Sequence, residues 1–143
     1  EKKLRIDQIV AEVVDDYRLL AKARRVTCQL DLTPIFTKAN YDMMHHVISN
    51  LISNAVRYSE VGSVVRVTCR QHRLVVINKC QPLTQTQLQR VFDPFHHTDS
   101  QISPESDGSG VGLYIVKMLL EAKGLEYSFS PVKQGMAFTI NFP

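Results

Sequence analysis

The sequence predicts an α/β chain folded as a two-layer sandwich. Three observations lead there. Three long stretches repeat apolar residues at helical spacing. Five shorter runs alternate apolar and polar residues, as half-buried strands do. Two of those runs are joined so tightly that they must lie antiparallel. Helices interspersed with a partly antiparallel sheet pack as one layer on another. With 143 residues, 44% of them hydrophobic, the chain is the right size for one domain with its own core, residues 1–143. No repeat or linker divides it.

The elements follow in order. Residues 6–24 place Ile6, Ile9, Val10, Val13, Tyr17 and Leu20 along one helical stripe. "VTCQLDL", 26–32, reads as a strand with one buried face. A second helix spans 41–58, with Asn40 as N-cap and Met44, Val47, Ile48, Leu51, Ile52, Ala55 and Val56 facing inward. "VVRVTCR" and "RLVVINK", 64–70 and 73–79, form a hairpin. "TQTQLQRVF", 84–92, is a short helix capped by Thr84. Residues 93–109 are polar, contain two prolines and lack periodicity, the pattern of a functional lid or a disordered segment. A third long helix runs from about Val111 to Lys123 and stops at Gly124. "LEYSFS" and "MAFTINF" close the chain as paired strands.

Composition narrows the function. A net charge of +3, with no basic cluster beside exposed aromatics, gives no case for nucleic acid. No apolar run is long enough to span a bilayer, and the opening "EKKLRIDQIV" has no signal-peptide pattern. Cys28, Cys69 and Cys80 are dispersed and lack metal-ligand spacing; Cys28 and Cys69 sit inside strand-like runs, so buried reduced thiols are expected.

Chemistry concentrates in two places. "DGSGVGLYIVKML", 107–119, sets Gly108, Gly110 and Gly112 before a helix. Such a loop can bring backbone N–H groups and a helix dipole to an anion, although a glycine-rich hinge before a helix is as common. It matches neither the dinucleotide-binding fingerprint nor the P-loop. In "NLISNAVRYS", 50–59, Asn50 and Asn54 are four residues apart and share a helix face. A neutral amide oxygen suits Mg²⁺, and Arg57 one turn on could reach a phosphate. Both features also fit ordinary solvated surface residues.

In series, "HVISNLISNAVRYS", "VFDPFHHTD", "GSGVGLYIVKMLLEAKG" and "GMAFTINFP" resemble the ATP-binding catalytic domain of bacterial sensor histidine kinases, over about Leu4 to Pro143. The resemblance implies the Bergerat fold, a mixed, mostly antiparallel sheet on three helices, with ATP and Mg²⁺ as cofactors. It implies that Asn54 coordinates Mg²⁺, that Asn50 and Arg57 lie by the phosphates, and that Tyr58 flanks the nucleotide. It assigns the glycines, with Val111 and Leu113, to the loop and helix closing over the triphosphate. Phe92 and Phe95 would anchor the lid. His45 and His46 are expected at the surface or at a domain boundary rather than as ligands.

The resemblance also has gaps. Related hydrolytic ATPases place a glutamate where Asn50 stands, and an amide cannot act as a general base, so water activation is not expected. The first glycine box is degenerate. In "NKCQPL", 78–83, Asn78 replaces the aspartate that accepts from the adenine amino group, and Cys80 and Pro82 replace glycines. The segment from Phe92 to Ser109 has four acids and no lysine or arginine. The last box keeps Gly135 alone.

The reading is therefore a kinase part that transfers the γ-phosphoryl group of ATP to a histidine on a separate dimerisation domain upstream. The first helix would follow that domain directly. A cognate response regulator, a homodimeric parent, a monomeric isolated piece, and a cytoplasmic location under a membrane anchor follow from the resemblance. The alternative is a nucleotide-impaired pseudokinase that acts as a signalling module.

Overall fold

A computed structural model describes residues 1–93 and 112–143. The elements are β1 (Lys2–Arg5), α1 (Ile6–Asp16), α2 (Arg18–Ala23), β2 (Thr27–Leu32), β3 (Phe36–Ala39), α3 (Tyr41–Tyr58), β4 (Val64–Arg70), β5 (Arg73–Lys79), α4 (Gln85–Arg90), α5 (Gly112–Lys123), β6 (Glu126–Val132) and β7 (Gly135–Asn141). The main sheet has the order β2-β4-β5-β7-β6. Among the described residues only β2 and β4 are parallel; every other neighbouring pair of this sheet is antiparallel. Helices α1, α3 and α5 cover one face, giving the two layers that the periodicity predicts.

The core lies between those layers. Ile6, Val10 and Val13 of α1 and Met44, Ile48, Ile52 and Val56 of α3 are almost fully buried against Val65, Val67, Leu74 and Ile140 of the sheet. On β4 the inward residues Val65, Val67 and Cys69 alternate with exposed Val64, Arg66 and Arg70. Burial pushes the Cys69 thiol up to about 12, and the Asp7 carboxylate adds to the shift.

Local stops and starts follow side-chain chemistry. The Asn40 side chain accepts the Met43 N–H at 2.9 Å and starts α3. Thr84 and Gln87 form a reciprocal capping box at α4. Gly124, at φ +79, ends α5 with the Leu125 N–H on the Leu120 carbonyl. The β4–β5 connection is two residues, Gln71 and His72, both at positive φ, the backbone that matches strand twist in a tight hairpin.

Four expectations need correction. The 6–24 helix is two helices: the chain breaks at Tyr17 (φ −103, ψ 12), and the apolar stripe crosses the break without a gap. Two short strands were not foreseen; β1 and β3 pair antiparallel as a separate ribbon, so a strand precedes the first helix. The last strand pair is offset, running 126–132 and 135–141, because Pro131 is tolerated on an edge strand. Cys28 is only half-buried, since β2 is the outer strand. The proposed lid, with Phe95, His96, His97, Gly108, Gly110 and Val111, lies outside the described residues.

One buried charge secures the ribbon to the helical layer. Asp7, 7% exposed, accepts from Arg5 at 2.7 and 3.0 Å and from the Ile35 N–H at 3.2 Å. The Arg5 hydrogen bond, aided by the Ile35 N–H, holds its carboxyl below the usual range. A depressed folded-state pKa contributes stability above the unfolded carboxyl range, and the contribution disappears as pH falls through the folded value. Urea midpoints over an acid pH series should therefore fall more steeply for the parent than for Asp7→Asn. Equal slopes would show that this carboxylate is not linked to folding.

Candidate functional site

The site begins with α3. Burying Leu51, Ile52, Ala55 and Val56 fixes the rotation of the helix, and Asn50 and Asn54 then fall on its flank toward α5. The C-terminal end of α3 is held in turn by Arg24, which donates to the Val56 carbonyl at 3.0 Å and the Ser59 carbonyl at 3.1 Å. That contact satisfies carbonyls that no helical N–H can reach. On the opposite flank His45 lies 3.5 Å from Glu12, and Tyr41 donates to the same carboxylate, tying α3 to α1. His45 is half-buried and His46 exposed, so neither enters the site.

The facing wall is the sheet. On β5, Val76 and Asn78 alternate onto the inner face, and Cys80 continues the pattern beyond the strand end. Across the β5–β7 ladder Asn78 opposes Met136 and Val76 opposes Phe138. Together Leu51, Asn54, Ala55 and Tyr58 of α3, these strand residues, Leu113 of α5 and Phe129 of β6 line a narrow cleft of about 380 Å³. Its walls are apolar or aromatic apart from two amides, one phenol and one thiol, a composition suited to a flat ring carrying few polar groups.

The degenerate glycine box has a definite shape here. Asn78 is 8% exposed, and its amide hydrogen-bonds the Cys80 side chain. Burial raises the Cys80 thiol, which that hydrogen bond partly offsets, so the group faces the cleft as a neutral thiol. The Cys80 N–H donates to the Gln134 carbonyl at 3.2 Å, and the Leu83 N–H reaches the Met136 sulfur at 3.4 Å. The box is thus held by the β6–β7 turn rather than by glycine flexibility.

The polar end of the site is carried by the amides. Asn50 Nδ2 is buried with no hydrogen-bond partner among the described residues. Asn50 Oδ1 lies against Gly112, 3.6 Å from where a Cβ would stand. A buried donor without a partner costs about 1–3 kcal/mol, and a phosphate oxygen would satisfy it. Among the described residues no group of three His, Cys, Asp or Glu could hold a metal. A cation here would depend on an amide oxygen and on the ligand's own phosphates, a donor set that suits Mg²⁺. The residues present therefore fit Mg-ATP.

Of the sequence-predicted site residues, Asn54, Tyr58, Asn78 and Leu113 meet in the cleft, and Asn50 and Gly112 stand in contact with each other. Arg57 lies on α3 one turn beyond Asn54. Gly108, Gly110 and Val111 fall outside the described residues. Phe92 packs edge-on against Tyr127, Phe129 and Phe138, with ring centroids 5.8, 6.2 and 6.3 Å away. Sequence reasoning missed Val76, Phe129, Met136 and Phe138. Counting back by twos from Asn78, and across the final hairpin, would have found them.

Gly135 makes this wall possible. A Cβ there would sit 2.1 Å from the Asn78 carbonyl oxygen, so β7 can approach β5 only without a side chain. Gly135→Ala should lower stability by about 1–3 kcal/mol, the range for overpacking. The amide resonances of Asn78 and Lys79 should move most. A thermal melt and a two-dimensional amide spectrum check this; an unchanged melt would mean that the strand ends are not tightly seated.

Several known proteins resemble this chain in sequence or in fold. Residues 39–143 match the family model described as histidine kinase-, DNA gyrase B-, and HSP90-like ATPase. The sensor histidine protein kinase HK06 of Streptococcus pneumoniae is 36% identical over 141 residues, covering 96% of this chain and 31% of that protein. The sensor histidine kinase CusS of Escherichia coli is 30% identical over 154 residues, covering all of this chain and 31% of CusS. The chain thus spans about a third of the length of the curated relatives it matches. Among solved structures, the mycobacterial sensor histidine kinase MprB superposes with a TM-score of 0.84 at 21% identity, covering 99% of this chain and 97% of that one.

Proposed function

The chain belongs to the histidine kinase-, DNA gyrase B- and HSP90-like ATPase family, and on that premise we propose that it is the catalytic domain of a sensor histidine kinase. It binds Mg-ATP and presents the γ-phosphoryl group to a histidine on a dimerisation domain elsewhere in the same protein. The observation that carries this reading is the pairing of a narrow, largely apolar cleft with the unsatisfied amide of Asn50 near it.

In this reading the adenine ring enters between Leu51, Tyr58 and Leu113 on one side and Val76, Met136 and Phe138 on the other. Asn78 reads the base edge. Asn50, Asn54 and Arg57 face the phosphates, with Gly108, Gly110, Val111 and Gly112 closing over them. Bound Mg²⁺ would neutralise phosphate charge. Asn54 offers it a single hard oxygen, and Arg57 supplies further positive charge. Catalysis of this type is mainly positioning and charge stabilisation. Asn50 has no basicity to activate water, which favours transfer to an external acceptor over hydrolysis. The acceptor domain, a response regulator, dimerisation of the parent protein and its attachment to a membrane all belong to this proposal. Among the described residues no helix is long and apolar enough to cross a membrane.

Calorimetric titration of the chain with ATP, with and without Mg²⁺, tests the reading. Binding that strengthens with Mg²⁺ in the parent and loses that dependence in Asn54→Ala is the expected result. Absence of ATP binding under both conditions would favour a nucleotide-impaired signalling module, the reading that Asn78, Cys80 and Pro82 motivate.

A second substitution tests base recognition. A carboxylate accepts from the adenine amino group more strongly than an amide oxygen, by about 1 kcal/mol. Asn78→Asp is therefore expected to tighten ATP binding a few-fold while leaving GTP binding weak. If neither variant separates ATP from GTP, Asn78 does not read the base.

A further inference from the structure

A second concavity, of about 880 Å³, lies away from the cleft between α1–α2 and the start of β2. Its floor is Val14, Ala21 and Val26, and Arg18, Lys22 and Arg25 stand along it with Thr27 and Cys28. No acid lines it. Arg18 pairs with Asp15 at 2.9 Å, whereas Lys22 and Arg25 form no salt bridge among the described residues. From Tyr17 to Leu30 the sequence has four cations and no anion, and only Arg24 is committed to the end of α3.

Beside this groove runs an open strand edge. β2 is the outermost strand of the main sheet. The Thr27 N–H goes to the Ser63 carbonyl and the Thr33 N–H to the Cys69 carbonyl, both toward β4. In a parallel ladder the odd-numbered residues of β2 therefore face β4, and the N–H and C=O groups of Cys28, Leu30 and Leu32 point outward. The opposite edge, β6, is blunted by Pro131, while β2 contains neither proline nor lysine.

Arg25 adds an independent observation. It occupies the left-handed position after α2 at φ +57, with the Val26 N–H on the Ala21 carbonyl and its own N–H on the Lys22 carbonyl. Glycine is the residue that fits this position without strain. An arginine there retains a cation at the groove despite the backbone.

We propose that this groove and the free edge of β2 together bind an extended acidic segment of a partner polypeptide. The segment would add as a strand to β2, set apolar side chains over Val14, Ala21 and Val26, and place carboxylates against Lys22 and Arg25. Charge complementarity and the outward backbone groups select a peptide over a lipid surface, which would need no strand edge. The site is separate from the nucleotide cleft and does not depend on the function proposed for it.

The test uses an acetylated octapeptide alternating glutamate with valine, titrated into the isotopically labelled chain. Amide exchange should slow at Cys28, Leu30 and Leu32 and stay unchanged at Thr27, Gln29 and Asp31. Arg25→Gly should bind about tenfold more weakly, roughly the loss of one good contact. Its melting temperature should match or exceed that of the parent, because glycine relieves the left-handed strain; a purely structural arginine would give the reverse. The same peptide with lysine for glutamate should not bind. Protection without odd–even alternation, equal binding by Arg25→Gly, or binding to phosphatidylglycerol vesicles but not to the acidic peptide would each overturn the proposal.

Discussion

Helix α3 must satisfy two demands at once. Its inner face carries Met44, Val47, Ile48, Ile52 and Val56, each at most 1% exposed. Burial of five such side chains contributes roughly 10 kcal/mol, which is comparable to the whole net stability of a domain. The helix therefore has one possible rotation, and that rotation sets Asn50 and Asn54 against α5 and Tyr58 against the sheet. The site's polar groups are positioned by packing that they do not themselves contribute to. Arg24 and Tyr41 serve the same end, holding the helix to α2 and α1 at residues that never reach the cleft.

On the sheet wall the direction of a side chain and its chemistry have separate causes. Asn78, Cys80 and Pro82 depart from the usual glycine box, yet Asn78 and Cys80 still face inward, because strand alternation rather than residue type decides the direction of a side chain. What changes is chemistry. Here a neutral amide is hydrogen-bonded to a neutral thiol. The aromatic group of Phe92, Tyr127, Phe129 and Phe138 closes the wall behind it. Tyr127 stacks on Phe138 at 5.9 Å and donates to Glu121; burial and that hydrogen bond push its phenol up to about 12.

Legibility in the sequence followed the range of the interaction. Asn40, Thr84 and Gly124 act within four residues, and their caps and stops were readable from the chain alone. The α3 stripe was equally clear, since 18 residues give several turns of periodicity. The family motifs had already singled out Asn54, Tyr58, Asn78 and Leu113, which the fold brings to one cleft. β1 and β3 were not readable, because "KKLR" and "FTKA" carry little alternation and exist as strands only through pairing with each other. The break at Tyr17 was hidden by an apolar stripe that continues across it. The aromatic and methionine wall came from cross-strand register, a long-range property that no local pattern encodes.

The contact between Gly135 and the Asn78 carbonyl has one more implication, which concerns evolutionary latitude. At this end of the cleft the limiting dimension is the separation of two main chains, and side-chain identity on β5 does not enter it. Substitution at position 78 can therefore change the chemistry of this wall while the spacing of the two strands stays in place. The same freedom does not extend to position 135, where the smallest added group already collides. Freedom on one strand and constraint on its neighbour would let such a scaffold change the chemistry of its cleft without first losing its architecture.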